Sequence, residues 1–407
     1  MIKLKQIIGI FLILTLSISC FGCKRRNLTN QTNETINILL ESQYTSDKEA
    51  VELILKGFKD RYSKIPINIK EFKSINEIKE DISEKKYDII LCSRPNFLEL
   101  HKLGLINKLT SYFENSNIQE KFYNITLSYG KIGEEFYGMA LFPYSLEFIY
   151  NENILKNLIG NRDINNFEDL INIIKENNIR IPMILPKELN LELALSTLLA
   201  NSIIKKDNLI DIYNGEKEIK SNKILIEEVL NTLNKVKKEV GFNYFYNVNI
   251  DDINKLDKEN IPMALVTSLV GVGNKDFKDL FFLGEINKEL IKTTPPIFSN
   301  YIVCSVNNNK NPILVNKFFD YLLTNDSYTQ IAEKGYFTGN KVIDSSCMGI
   351  NKKSTWTIAN GGITNIPYYL NLSYESKQVL INLIKKSMNE NSNLKEIKKD
   401  VSNIFKE

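Results

Sequence analysis

From Ile36 onward, short unbroken apolar blocks alternate with longer stretches in which apolar residues recur every three or four positions. "INILL", "IPINIKEF" and "YDIILC" read as strands, and the last is apolar throughout, as for a strand covered on both faces. Between the first two, "SDKEAVELILKGFKDRY" places Ala50, Val51, Ile54, Leu55, Phe58 and Tyr62 on one helical face. It opens with Ser46 and Glu49 at the Ser-x-x-Glu spacing of a capping box. Ile75 to Glu84 predicts a second helix. The alternation returns in a helix from Asn166 to Glu176 with Asn165 and Glu168 as its cap pair, a strand at "IPMIL", helices at Leu191–Ser202 and Lys223–Val240, and a strand at "IPMALVTS". Strands alternating with helices predict mostly parallel sheets covered by helices on both sides, here in two successive α/β lobes.

No Pro/Gly/Ser-rich linker separates the lobes, so their connection is structured. It falls at "FPYSLEFIYN", Phe142 to Asn151. Pro143 removes a ladder donor and is expected to hold Phe142 extended. After it, Leu146, Phe148 and Tyr150 alternate with Glu147 and Ile149 in a strand that begins the second lobe. A strand-like crossover of this kind predicts a hinge.

The N-terminus carries a different pattern. Met1–Lys5 is short and basic, Ile7–Ile18 is almost unbroken apolar sequence, and "LTLSISCFGC" follows, which is the layout of a secretion signal. The run is shorter than the roughly 20 residues of a spanning helix. A cysteine directly after it resembles the lipobox of bacterial lipoproteins, with Cys20 as the acylated (palmitate-bearing) residue and Cys23, preceded by Gly22, as the alternative. "KRRNLTNQTNET" then reads as a flexible tether. Cys92, Cys304 and Cys347 are read as unpaired core residues.

With 407 residues the chain can bury a large core, and its formal net charge of +3 is the remainder of nearly equal acid and base counts. No basic block beyond the first thirty residues supports nucleic-acid binding. Catalysis finds no residue set. The one histidine, His101, has no serine or cysteine motif attached. "GVGNK", Gly271 to Lys275, lacks the ending of a phosphate loop. Asp251 with Asp252 and Glu134 with Glu135 have no metal-ligand spacing. Tyr368 and Tyr369 lack a histidine or carboxylate set for iron. Neither an enzyme activity, a cofactor nor a metal is expected.

Several ordered segments resemble the family 1 extracellular solute-binding proteins of ABC importers, the maltose-binding-protein-like, periplasmic-binding-protein type II class. These are "YDIILCSRPNFLELHKLGLINKL", "EEFYGMALFPYSLEFIYNENIL", "NNFEDLINIIKE", "IPMALVTS" and the return segment "FSNYIVCSVNNNKNPILVNKFFDYLL". The tryptophan usual after the "A-M-x-x-x-G" strand is absent, and Trp356 is the only one in the chain. The resemblance implies hinge strands at Tyr144–Ile149 and about Pro296–Tyr301, with terminal helices Tyr374–Asn389 and Asn393–Phe405 packed on the second lobe. It implies lobe 1 at 36–145 plus 297–342 and lobe 2 at 146–296 plus 343–407, behind the signal peptide at 1–19 and the anchor and tether at 20–35 read from the N-terminal pattern.

Ligands of such sheets sit at the carboxyl ends of the strands. There the chain places Glu41, Gln43 and Tyr44 after the first strand, Ser93 and Arg94 after "YDIILC", Tyr144 in the crossover, and Thr267 and Ser268 after "IPMALV". Trp356 or Tyr374 is expected to add an aromatic face. Hydroxyl-fixing polar groups with a stacking ring suit a small sugar, polyol or sugar derivative. Arg94 reads either as a ligand contact or as an ion pair propping its loop. The expected partners are a carbohydrate-like solute, permease subunits, and a bacterial envelope membrane through the N-terminal lipid. A surface lipoprotein that keeps the fold as an interaction or sensory module is the alternative.

Overall fold

The computed structural model describes residues 35–160, 162, 164, 167–203, 223–240, 242–248, 261–273, 280–282, 295–307, 309–346, 349–372, 374–388 and 399–401. The signal peptide, Cys20, Cys23 and the tether up to residue 34 lie outside the described residues, as do Cys347, Asp251, Asp252, the Asn165 cap and most of the second terminal helix.

Two mixed sheets carry the fold. In the first, β1 (Ile36–Glu41) pairs in parallel with β2 (Ile67–Phe72) and β3 (Ile89–Cys92). A hairpin, β4 (Lys131–Ile132) with β5 (Glu135–Phe136), precedes β6 (Gly138–Leu141). The second sheet contains β7 (Tyr144–Asn151), β8 (Ile181–Ile184), β9 (Phe245–Asn247), β10 (Met263–Thr267) and β11 (Leu280–Phe282). Then β12 (Ile297–Phe298) pairs with the start of β7, and β13 (Tyr301–Ser305) re-enters the first sheet between β3 and β6.

The chain therefore passes from sheet to sheet twice, at 142–143 and at 299–300, and the passages run antiparallel with Ser145 opposite Ile297 and Tyr144 opposite Phe298. The Tyr144 and Phe298 rings stack at 5.4 Å and 10°. Phe142 is not extended as Pro143 led us to expect. Its φ is 52°, in the left-handed region, while its side chain is buried with Tyr336 in the first lobe's core. Core burial on one side and the turn into the second sheet on the other override the preference of a pre-proline residue.

The apolar faces legible in the sequence account for the cores. Ala50, Val51, Ile54, Leu55 and Phe58 of the helix Lys48–Arg61 pack on the first sheet with Phe318 and Tyr321 of the helix Pro312–Leu322. Phe97 and Leu100 cover the opposite face, in a core that continues into the second lobe through Tyr144, Leu146 and Phe148. Cys92 and Cys304 are buried and free in neighbouring strands, as read. The helix expected over Ile75–Glu84 is interrupted, a 3₁₀ turn at Ile75–Glu77 preceding a short helix at Lys79–Ser83. The terminal helix Tyr374–Ser387 packs on the helices Leu191–Ile203 and Lys223–Val240, where Asn234 Nδ2 donates to the Ser387 carbonyl at 2.9 Å. Among the described residues no helix is long and apolar enough to cross a membrane.

Candidate functional site

The carboxyl ends of β1 and β8 face each other across a cleft, and one carboxylate bridges it. Glu188, in the loop after β8, accepts at Oε1 from Thr45 N (2.6 Å), Thr45 Oγ1 (3.1 Å) and Ser46 N (3.3 Å) in the loop after β1. Thr45 and Ser46 precede the helix Lys48–Arg61, so their N–H groups add to the positive end of its dipole. This arrangement replaces the expected capping box. The N-cap is Asp47, without a side-chain cap bond. Ser46 Oγ is engaged by Asn300 Nδ2 at 2.9 Å and Glu49 pairs with Lys334 at 3.1 Å, so neither is free to close the box.

Asp47 is fully buried, and its Oδ2 accepts from Asn300 Nδ2 at 3.0 Å. Burial, reinforced by the charge of Glu188, pushes the Asp47 carboxyl up to about 7. Asn300 Oδ1 in turn accepts from Tyr144 OH at 3.2 Å, which connects the cleft loops to both crossovers. The lobes also touch where Gly273 N donates to the Lys334 carbonyl at 2.8 Å. Gly335 has φ +90° there, and a Cβ on it would stand 2.4 Å from the Gly271 carbonyl oxygen.

Between these contacts lies a cavity of about 400 Å³. Thr45, Ser46 and Tyr336 line it from the first lobe, and the segment 184–188, Val248, Thr267, Leu269, Val270 and Val272 from the second. Glu188 Oε2 is buried and has no hydrogen-bond partner. Burial, with Glu49 and Asp47 nearby, holds the Tyr336 phenol at about 12.

A second polar cluster sits at the ends of β1 and β3. Glu41 is fully buried and accepts from Ser93 N (2.7 Å), Ser93 Oγ (3.1 Å) and Gln43 Nε2; desolvation raises its carboxyl and these hydrogen bonds oppose the rise. Tyr44 packs edge-on against Tyr301 at 6.2 Å. Lys377 Nζ lies 3.4 Å from Tyr44 OH and about equally far from the rings of Tyr44 (6.0 Å) and Tyr369 (5.8 Å). Burial lowers the Lys377 ammonium while Glu41 opposes that fall.

The residues picked from sequence thus separate. Glu41, Gln43, Tyr44 and Ser93 share one cluster, Thr267 lines the cavity, and Ser268 Oγ accepts from Ser145 N at 3.0 Å beside the crossover. Arg94 is 1 % exposed; its Nε donates to Asn371 Oδ1 at 2.6 Å and its Nη1 to the Tyr129 carbonyl. The guanidinium joins the first lobe to the C-terminal segment, nearer the loop-propping reading than the ligand reading. Trp356 is half-buried on the helix Gly349–Asn360, which packs against β7 and the turn Ser268–Gly271. Tyr374 opens its helix, and its side chain is outside the described part. Sequence reasoning missed Asp47, Glu188, Tyr336 and Lys377. The strand-end rule applied to "IPMIL" as it was to "INILL" would have found Glu188.

His101 meets the Tyr137 ring edge at 4.4 Å, and burial lowers its imidazole. Among the described residues no group of three His, Cys, Asp or Glu is placed to hold a metal ion.

No protein-family profile and no curated protein matches the chain. Solved structures match over nearly its whole length. A family 1 extracellular solute-binding protein from Bifidobacterium longum subsp. infantis shares 14% identity at a TM-score of 0.59, over 91% of this chain and 98% of the other. An ABC transporter solute-binding protein from Thermotoga lettingae, bound with α-D-tagatose, shares 13% at 0.58, over 92% and 99%. The maltose/maltodextrin-binding domain MalE from Bdellovibrio bacteriovorus, bound to maltotriose, shares 14% at 0.57, over 91% and 98%. The chain has the two-lobed fold of the extracellular solute-binding proteins.

Proposed function

We propose that this protein is the lipid-anchored substrate receptor of an ABC importer and closes on a small sugar, polyol or sugar derivative between its lobes. The observation that carries the reading is the cavity of about 400 Å³, bounded by loops at strand ends from both lobes and flanked by two antiparallel crossovers. Its size is at the lower end of ligand pockets, about 300–1,000 Å³, which favours a monosaccharide-sized solute over a long oligosaccharide. Neighbours bound to tagatose and maltotriose support a carbohydrate ligand.

In this reading Cys20, or Cys23 in its place, carries the lipid, and 24–35 holds the lobes off the outer face of a membrane near the permease subunits. The crossovers support a first lobe of 36–145 plus 297–342 and a second of 146–296 plus 343–407. A two-lobed receptor with hinge strands closes by rotation at the crossovers. The test is mass spectrometry of solutes released from the natively purified protein, followed by small-angle scattering with the solute found. Compaction on binding supports the receptor. A solute that binds without compaction refutes closure.

A further inference from the structure

The loops that meet across the cleft carry two buried carboxyls, one from each lobe. Asp47, at the start of the helix Lys48–Arg61 in the first lobe, is fully buried. Its Oδ2 accepts from Asn300 Nδ2, and its Oδ1 is buried without a hydrogen-bond partner. Glu188 comes from the second lobe. Its Oε1 accepts from Thr45 N, Thr45 Oγ1 and Ser46 N, the two residues just before Asp47, and its Oε2 is likewise buried without a partner. Closing the lobes therefore brings two acids together out of water, each with one oxygen unmatched by any donor among the described residues.

Ionising both in that setting is opposed by desolvation and by like-charge repulsion. The same two causes push the Asp47 carboxyl up to about 7, so the proton sits there. The other titratable groups that face Asp47 keep one state through this range. Tyr144 and Tyr301 approach it from the crossovers and Tyr336 from the first lobe, and burial raises all three phenols, which stay protonated. On its own helix, Glu49 is paired with Lys334 at 3.1 Å and Lys48 with Glu71 at 3.6 Å. When the lobes part, Glu188 leaves with the second lobe and water reaches Asp47, whose carboxyl falls back toward its ordinary value and ionises. Closing then takes a proton from solvent and opening returns it, so the closed form is favoured on the acidic side and loses that advantage as pH rises through 7.

We propose that Asp47 and Glu188 form a proton-gated latch between the lobes, closed with one proton on the pair and released when that proton is lost. The latch goes beyond the receptor reading and governs when the cleft closes, whatever solute it takes.

The test is amide hydrogen exchange, followed residue by residue by NMR, on the full-length protein without solute at about pH 6 and about pH 8. The Thr45 and Ser46 N–H groups are bonded to Glu188 only while the latch is shut, and Gly273 N–H, which donates to the Lys334 carbonyl at 2.8 Å, reports the second interlobe contact. Corrected for intrinsic rates, protection at all three is expected to be about tenfold higher at the lower pH, because a group titrating near 7 binds one proton across that window. Asp47→Asn cannot ionise and is expected to remove the dependence. Asp344→Asn takes away the other carboxyl raised to about 7 and is expected to leave it intact. Glu188→Gln is the second variant: it keeps an acceptor for Thr45 and Ser46 without the charge, and is expected to shrink the dependence. Equal protection at the two pH values overturns the latch, as does a dependence that survives Asp47→Asn, vanishes with Asp344→Asn, or appears at Thr45 and Ser46 but not at Gly273. Absence of protection at both contacts also overturns it, since the lobes are then open without solute at either pH. None of these outcomes touches the receptor reading, which compaction on solute binding decides.

Discussion

Asp47 makes a quantitative prediction. Its carboxyl is fully buried at the foot of the cleft, accepts from Asn300 and faces Glu188 from the second lobe, with Tyr144, Tyr301 and Tyr336 as its other titratable neighbours. Its pKa rises from 3.8 to about 7, so the folded state binds a proton that the unfolded chain has released. A folded pKa above the unfolded one contributes stability that is complete below pH 3.8 and is lost as pH rises through 7. Integrated between about pH 7.5 and about pH 5, the linkage amounts to about 2–3 kcal/mol in favour of the acidic side. Asp344 is also pushed up to about 7 by burial and adds a slope of the same sign, so the wild-type profile alone does not isolate Asp47. Asp47→Asn does: it keeps an oxygen for Asn300 and cannot ionise. Urea unfolding of both proteins at the two pH values should show the wild type gaining about 2–3 kcal/mol more than the variant on acidification, with the variant the more stable near pH 7.5. Parallel profiles would refute the placement of an uncompensated carboxyl beside Glu188.

Three further outcomes follow. Gly335→Ala puts a Cβ against the Gly271 carbonyl at a backbone φ of +90°, so it should cost about 1 kcal/mol or more and weaken the compaction that follows solute binding; undiminished compaction in scattering would mean that this contact does not hold the closed lobes together. Arg94→Ala leaves Asn371 and the Tyr129 carbonyl without their buried donor, and should destabilise by about 2–4 kcal/mol in urea; an unchanged midpoint with weakened binding would return Arg94 to the ligand site. Cys20→Ala should abolish acyl labelling and leave an uncut precursor or a soluble chain, and equal labelling of the variant would transfer the lipid to Cys23 or end the anchor reading.

Much of this architecture is legible in the sequence because the signals are local. The apolar stripe Ala50–Phe58 and the unbroken "IILC" settle helix and strand from periodicity, and Pro143 marks where one sheet ends. Misreadings arise where distant groups compete. Ser46 has the spacing to cap its helix, yet it meets Asn300 and Glu188, which lie far away in sequence. Phe142 takes a left-handed backbone because the core on one side and the second sheet on the other fix its ends. Arg94 follows a buried strand, as read, but its partner Asn371 comes from the far end of the chain, and no local pattern shows that the guanidinium is engaged inside the protein. Lys377 meets Tyr44 and Tyr369 only through the packing of a terminal helix.

The central claim, that a small solute binds in the cavity between the two lobes, is tested most directly by filling that cavity. Leu185 is half-buried in its lining, and Leu185→Trp adds bulk to a space of about 400 Å³. Melting temperatures of wild type and variant are compared across a solute library, after matching the two proteins without additive. At least one neutral sugar or polyol should raise the wild-type value at a concentration about 100-fold above its Kd, equivalent to about 2.7 kcal/mol, and leave the variant unmoved. A solute that stabilises both proteins equally would place binding outside this cleft and contradict the account.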